Sequence, residues 1–184
     1  MRIQKLQEEF PWTTEQTKSR SPGLHLSDVI HDMDRELMKT AERKVDEATM
    51  LQFEKGYLWE VALSRAFGEK AAVRIGEIEL DGVIGSPDGY TRGSNQEKVV
   101  EEYKCTALSA ESTPANNWKW LMQVKGYCKM LGVRKCVFRV LHHVAIMHDP
   151  ANAYAPWELV FTQGELDENW EAVLNHVKTM KRRG

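Results

Sequence analysis

At 184 residues and 21.2 kDa, with 42% hydrophobic and 28% charged residues, the chain has the size and mix of one globular domain, which excludes a disordered or fibrous protein. A formal net charge of −2 argues against a protein that coats nucleic acid indiscriminately, while leaving room for a local basic surface. The longest uninterrupted apolar run is four residues, against the roughly 20 that a bilayer helix needs. The start MRIQKLQEEF also lacks an apolar signal core, so a soluble, cytoplasmic protein with no membrane partner is expected.

In chain order, residues 1–24 set Pro11, Ser19, Ser21, Pro22 and Gly23 among polar residues and read as an irregular N-terminal arm, leaving 25–184 as a single domain. Ser27 reads as the cap of a helix over 28–44. A better patterned helix follows over 48–67, with Gly68 as its stop. β-type stretches come next at 71–75, 78–84 and 98–105, the last two expected side by side and antiparallel across a Gly/Ser/Asn-rich tip at 91–96. Beyond a polar loop at 109–117, the pattern predicts a helix over 118–131, strands at 135–146 and 157–162, and a last helix at 165–180. This order describes an α/β protein with a central mixed β-sheet flanked by helices. Cys105, Cys128 and Cys136 have no C-x-x-C spacing and read as buried thiols rather than a disulfide framework or a zinc site. His142, His143 and His148 follow no zinc spacing and read as structural.

Two short segments carry the chemistry. Ser86-Pro87-Asp88-Gly89 alone is what a tight turn selects. Downstream, in Val99 to Thr106, Val100, Glu102 and Lys104 alternate at period two, so a strand aims carboxylate and ammonium from one face. Glu102 and Lys104 alone would also suit a surface pair. Taken with Asp88, they match the needs of phosphodiester hydrolysis: hard oxygen ligands for a divalent cation, and a positive charge near the reacting phosphorus. Asp88 and Glu102 are the candidate Mg²⁺ ligands, the peptide carbonyl of Tyr103 an extra one, and Lys104 the group that positions water or offsets charge.

On a helical wheel of 48–67, Phe53, Tyr57, Leu63, Ser64 and Phe67 share one arc with Glu60 in its middle. An inward Glu60 needs a cation, and a metal shared with Asp88 and Glu102 would supply it; a rim position reaching solvent is the alternative. Gly56, one turn earlier, would let another segment approach that face closely. Gln123 and Tyr127 lie four apart at the edge of the apolar stripe of 118–131. Residues 112–148 hold six cations (Lys119, Lys125, Lys129, Arg134, Lys135, Arg139) and no acid. This suits a nucleic-acid backbone, with Lys119 and Lys125 as candidate DNA contacts, and equally a solvated basic helix face.

These residues resemble the PD-(D/E)XK nuclease superfamily, with Pro87-Asp88 and Glu102-Tyr103-Lys104 as its two namesake elements. Gly56-x-x-x-Glu60 before them and Gln123-x-x-x-Tyr127 after them look like its RecB-type branch, which includes YqaJ-type recombinases and lambda exonuclease. The resemblance implies a restriction-endonuclease-like fold and a Mg²⁺- or Mn²⁺-dependent DNase. It makes Asp88, Glu102 and Glu60 metal ligands, Lys104 the catalytic lysine, and Gln123 and Tyr127 residues that line the site and contact DNA. RecB-type members often carry His at the position of Glu60. Many also hold an iron–sulfur cluster on four cysteines, which three cysteines in this spacing do not reproduce, so no cluster is expected. An exonuclease acting on DNA ends in recombination, repair or phage DNA processing fits best, in a bacterial or phage-infected cell. A partner protein for recombination or single-strand binding, and a homo-oligomer, stay open, as do an endonuclease of the same fold and a non-catalytic nucleic-acid-binding module.

Overall fold

The computed structural model describes residues 20–39, 47–68 and 71–183. Most of the predicted arm and the end of the predicted first helix lie outside these residues. The described chain opens with strand β1 (Leu24–His25) and helix α1 (Leu26–Met38), whose N-cap is His25; Ser27, the predicted cap, lies inside the first turn. Helix α2 (Glu47–Phe67) ends where Gly68 takes a left-handed φ of +54° that a side chain would resist.

The stretch predicted as one strand over 78–84 is a hairpin, β2 (Ile78–Leu80) and β3 (Val83–Gly85). Asp81 and Gly82 both have positive φ, 52° and 77°, which is the turn an Asp-Gly pair favours between antiparallel strands. This hairpin does not neighbour the 98–105 strand. That place belongs to β4 (Gly89–Arg92), which the sequence reading missed because Pro87-Asp88-Gly89 reads as a turn; it pairs antiparallel with β5 (Lys98–Thr106). The predicted strand at 71–75 shrinks to a single bridge between Val73 and Tyr90.

Helix α3 (Trp118–Leu131) has its predicted bounds, because Asn117 caps the Trp120 N–H and Gly132 closes the C-terminus at φ +65°. It crosses over to β6 (Lys135–His142), which runs parallel to β5 and stops four residues short of its predicted end; 3₁₀ turns follow, beginning with Ala145–Met147. Strand β7 (Tyr154–Val160) returns antiparallel, and α4 (Gln163–Arg183) completes the chain.

The strands form two mixed sheets, ordered β1-β3-β2 and β4-β5-β6-β7, flanked by the helices. The register pairs Glu102 with Phe138 and Lys104 with Val140, so these side chains share a face of the larger sheet. That face carries the core: Val100, Cys136, Phe138 and Val140 pack with Leu26 and Val29 of α1, Val124 and Cys128 of α3, and Trp170 and Val173 of α4. Helix α2 lies on the other face, where Trp59 Nε1–H donates to the Arg139 carbonyl and the Arg139 guanidinium stacks 4.4 Å from the Phe67 ring centre. Cys128 and Cys136 are buried, Cys105 is half-buried, and all three are free. None of the described helices is long and apolar enough to cross a membrane.

Candidate active site

Strand β5 sets the geometry. Its two-residue period turns Glu102 and Lys104 to the α3 side, and Lys104 Nζ donates to Glu102 Oε1 at 2.6 Å and to Gln123 Oε1 at 3.0 Å. Gln123 Nε2 in turn donates to the Tyr127 hydroxyl at 2.9 Å, so the i, i+4 pair of α3 ends directly on the lysine. Asp88 arrives from the link between β3 and β4, and its Oδ2 accepts the Tyr103 backbone N–H at 2.7 Å. The Tyr103 backbone thus meets Asp88 through its N–H. Glu102 Oε2 is buried and has no hydrogen-bond partner.

Glu60 reaches the same cluster from α2, with 14% of its side chain exposed, and its charge acts on Asp88, Glu102 and Lys104. Its Oε2 accepts from Arg74 Nη2 at 2.6 Å. The predicted arc around it is corrected in part: Leu63 is 4% exposed, but Phe53 and Tyr57 are 60% and 46% exposed. The helix turns Trp59, Leu63 and Phe67 toward the sheet instead, so Glu60 stands at the border between covered and open faces. A Cβ on Gly56 would meet nothing within 4 Å, so this glycine marks no close approach.

Crowding three acids in a poorly hydrated place has electrostatic consequences. Burial, then repulsion from Glu102 and Glu60, pushes the Asp88 carboxyl well above the usual carboxylate range. Glu102 is pushed up by burial too, although Lys104 opposes the shift. Lys104 itself is pulled down by burial, but the carboxylates of Glu102 and Asp88 outweigh that and raise it. It therefore remains an ammonium at neutral pH. Burial and the Glu102 charge also raise the Tyr127 phenol, which stays protonated.

The predicted basic stretch is not a bare cationic face. Lys119 pairs with Asp34 at 2.9 Å, Lys129 with Asp167 at 2.6 Å, Lys135 with Glu158 at 2.9 Å, and Arg139 with Glu101. Lys125 lies 5.5 Å from the Phe161 ring centre, at the junction of β7 and α4, where its charge acts on Glu165. Four of the six cations of the run are thus paired with acids that other segments fold against it.

Sequence reasoning missed two features. Arg74 joins the site because the 71–75 segment lies on β4: Val73 and Tyr90 exchange backbone hydrogen bonds of 2.8 and 3.1 Å, and a Cβ on Gly89 would fall 2.9 Å from the Val73 oxygen. Behind the site, Arg139 Nη2 donates to Glu101 Oε1 at 2.8 Å, Thr91 Oγ1 donates to the same oxygen at 3.1 Å, and Arg139 Nη1 donates to the Tyr154 hydroxyl at 3.0 Å. A charge inside the apolar run of β6 was the available signal for this pair.

Elsewhere, ligand atoms of Asp32, Glu36 and His176 lie within 4.8 Å of one another. Arg35 and Arg183 already donate to Asp32, Arg183 also pairs with Glu36, and His176 Nε2 is 2.8 Å from Asp32 Oδ2. Two guanidinium groups supply the charge a metal would bring, so the cluster is an ion-pair latch holding α4 to α1.

No known family model matches the chain, and no curated protein matches it. Solved structures do. The chain is similar to LHK-Exo in complex with dAMP, at 16% identity and a TM-score of 0.61, over 88% of this chain and 89% of that one. It is similar to a second structure of LHK-Exo, an alkaline exonuclease from Laribacter hongkongensis, at 14% identity and a TM-score of 0.54 over 88% and 89% of the two chains. A phage related exonuclease from Haemophilus somnus 129PT shares 9% identity and a TM-score of 0.55 over 86% and 83%. At such identities the likeness establishes a common fold, in keeping with the PD-(D/E)XK resemblance of the sequence.

Proposed function

We propose that the protein is a divalent-metal-dependent deoxyribonuclease that hydrolyses phosphodiester bonds at DNA ends, in recombination, repair or phage DNA processing. The observation that carries the reading is Glu102 Oε2, a buried carboxylate oxygen without a partner beside two further acids. Leaving such an oxygen unpaired is costly, and a hard cation is the partner that oxygen donors of this kind suit. Asp88, Glu102 and Glu60 would hold Mg²⁺ or Mn²⁺, with the Tyr103 carbonyl as an additional ligand. When bound, the ion supplies Lewis-acid polarisation of the phosphate.

The chain's own groups do the rest. Lys104, held as an ammonium, donates to a non-bridging phosphate oxygen or orients the attacking water, and offsets charge as it develops. Gln123 fixes the lysine through its carbonyl oxygen, and Tyr127 fixes the amide, so the lysine is aimed before substrate arrives. Gln123, half-buried, lines the site from α3, whereas Tyr127, 3% exposed and packed in the core, acts by holding Gln123 and not as the DNA contact that the sequence suggested. Lys119 and Lys125 serve as backbone contacts by exchanging Asp34 and the Phe161 ring for phosphate.

The test is cleavage of labelled linear single- and double-stranded DNA and of a covalently closed circle, with Mg²⁺, Mn²⁺ or excess EDTA. Mononucleotide release from linear DNA, an intact circle and silence in EDTA are expected. A cut circle would transfer the protein to the endonucleases. Binding without cleavage under every metal would make it a binding module, and undiminished cutting after thorough chelation would remove the metal mechanism.

A further inference from the structure

We propose that Arg74 is a phosphate-binding residue of this site, held on Glu60 until a cation takes the carboxylate and the guanidinium turns to the substrate. The inference rests on the metal-nuclease reading of the site and adds a residue to it. Three observations carry it. First, the pair is asymmetric: the Glu60 side chain is 14% exposed and that of Arg74 49%, so the carboxylate faces the acids while the guanidinium faces the open side. Second, the residue is held in place. Val73 is hydrogen-bonded in both directions to Tyr90, two residues beyond Asp88, which fixes the backbone beside Arg74 against the strand that leaves the metal site. Third, the contact engages one guanidinium nitrogen, and the planar fork has further donors that match the paired oxygens of a phosphodiester.

Charge gives the order of events. Metal ligation requires Glu60, Asp88 and Glu102 as carboxylates, and counted among the described groups of the site, Lys104 and Arg74 then leave one negative charge in excess. A divalent cation reverses that to one positive charge, the complement of a phosphodiester. Arg74 and the cation compete for Glu60, whereas Arg74 and the phosphate attract each other. Removing the guanidinium therefore acts in opposite directions on the two ligands.

The experiment compares the parent with Arg74→Ala and Arg74→Lys in the full chain. Mn²⁺ binding without DNA is read by electron paramagnetic resonance. Binding of a short fluorescein-labelled duplex is read by anisotropy in Ca²⁺ over a salt series. Arg74→Ala should bind Mn²⁺ about threefold tighter or more, as a competing surface-type ion pair disappears. Its DNA affinity should fall on the order of tenfold, with the log–log salt slope reduced by about one. Arg74→Lys should keep the salt slope and lose part of the affinity, since an ammonium keeps the charge without the fork. Both constants within twofold of the parent would reduce Arg74 to a surface ion pair, and weakening of both would make it structural. Each result overturns this inference while leaving the site's metal reading intact. A parent that takes up no Mn²⁺ would remove that reading, and this inference with it.

Discussion

Lys104 touches Glu102 and Gln123 at once, and 19% of its side chain is exposed against 4% for Glu102. A pair this buried differs from the exposed ion pair that a glutamate and a lysine two apart on a strand also suggest. Lys104→Ala is expected to slow single-turnover cleavage by at least about a hundredfold while DNA binding in Ca²⁺ changes a few-fold, because the charge it opposes develops in the transition state. Turnover within about threefold of the parent would take the lysine out of the chemistry. Glu60→Gln is expected to raise the Mg²⁺ concentration for half-maximal rate with little change in thermal midpoint; an unchanged Mg²⁺ dependence would return Glu60 to the surface. That Glu102 and Lys104 share one face, and Gln123 and Tyr127 one side of α3, was legible because strand alternation and the four-residue helical step are local rules; Asp88 lies on the link before β4, where neither rule reaches. Arg74 was not, since its place depends on where a loop lands on β4. Phe53 and Tyr57 show the limit of a wheel: it gives their angle to Glu60 but not which part of the helix the sheet covers.

Among the elements, α2 depends on what happens behind β5. Glu101, 1% exposed, holds Arg139, and Arg139 meets Phe67 while its carbonyl accepts Trp59, the neighbour of Glu60. Arg139→Ala leaves a buried carboxylate with the Thr91 hydroxyl but without its cation and is expected to cost about 3–5 kcal/mol. The paired change with Glu101→Gln should cost less than the sum of the single changes, as urea unfolding would show. The α1–α4 latch makes a pH prediction. Burial opposes ionisation of Asp32, but hydrogen bonds from Arg35, His176 and Arg183 outweigh it and hold the carboxyl at about 2 against an ordinary 3.8. A lowered folded value means that this stabilisation is present above about pH 4 and is lost as pH falls toward about 2. In Asp32→Asn that part of the acid limb should be missing from a plot of urea midpoint against pH; a curve parallel to the parent's would show that the latch adds nothing. Helix α3 was readable to the residue because both its caps are encoded beside it. The β2–β3 hairpin and β4 were not, since strands of three or four residues with Gly and Pro at their ends give periodicity too little length to register.

At the scale of the molecule, four of the six cations of residues 112–148 pair with acids far from them in sequence among the described residues, which a count along the stretch does not reveal. The consequence for DNA binding concerns partners rather than totals. Asp34→Asn frees Lys119 and removes a nearby negative charge, so it is expected to tighten DNA binding a few-fold and steepen the salt dependence by up to about one unit of slope. Lys119→Ala should do the reverse, and identical salt curves for all three proteins would place the DNA path away from the N-terminal end of α3.

The packing of α3 on β6 seals two thiols, Cys128 and Cys136, at 0% exposure, while Cys105 on the α2 side is half-buried. The hydrogen bond with the Cys128 side chain, and then burial, raise the Cys136 thiol and so suppress the reactive thiolate. A disulfide reagent should therefore titrate one group in the native protein and three in denaturant. The native chain carries its own chemical clock: the slow release of the second and third equivalents times the parting of the helix that bears Gln123 and Tyr127 from the sheet that bears Glu102, with no label added.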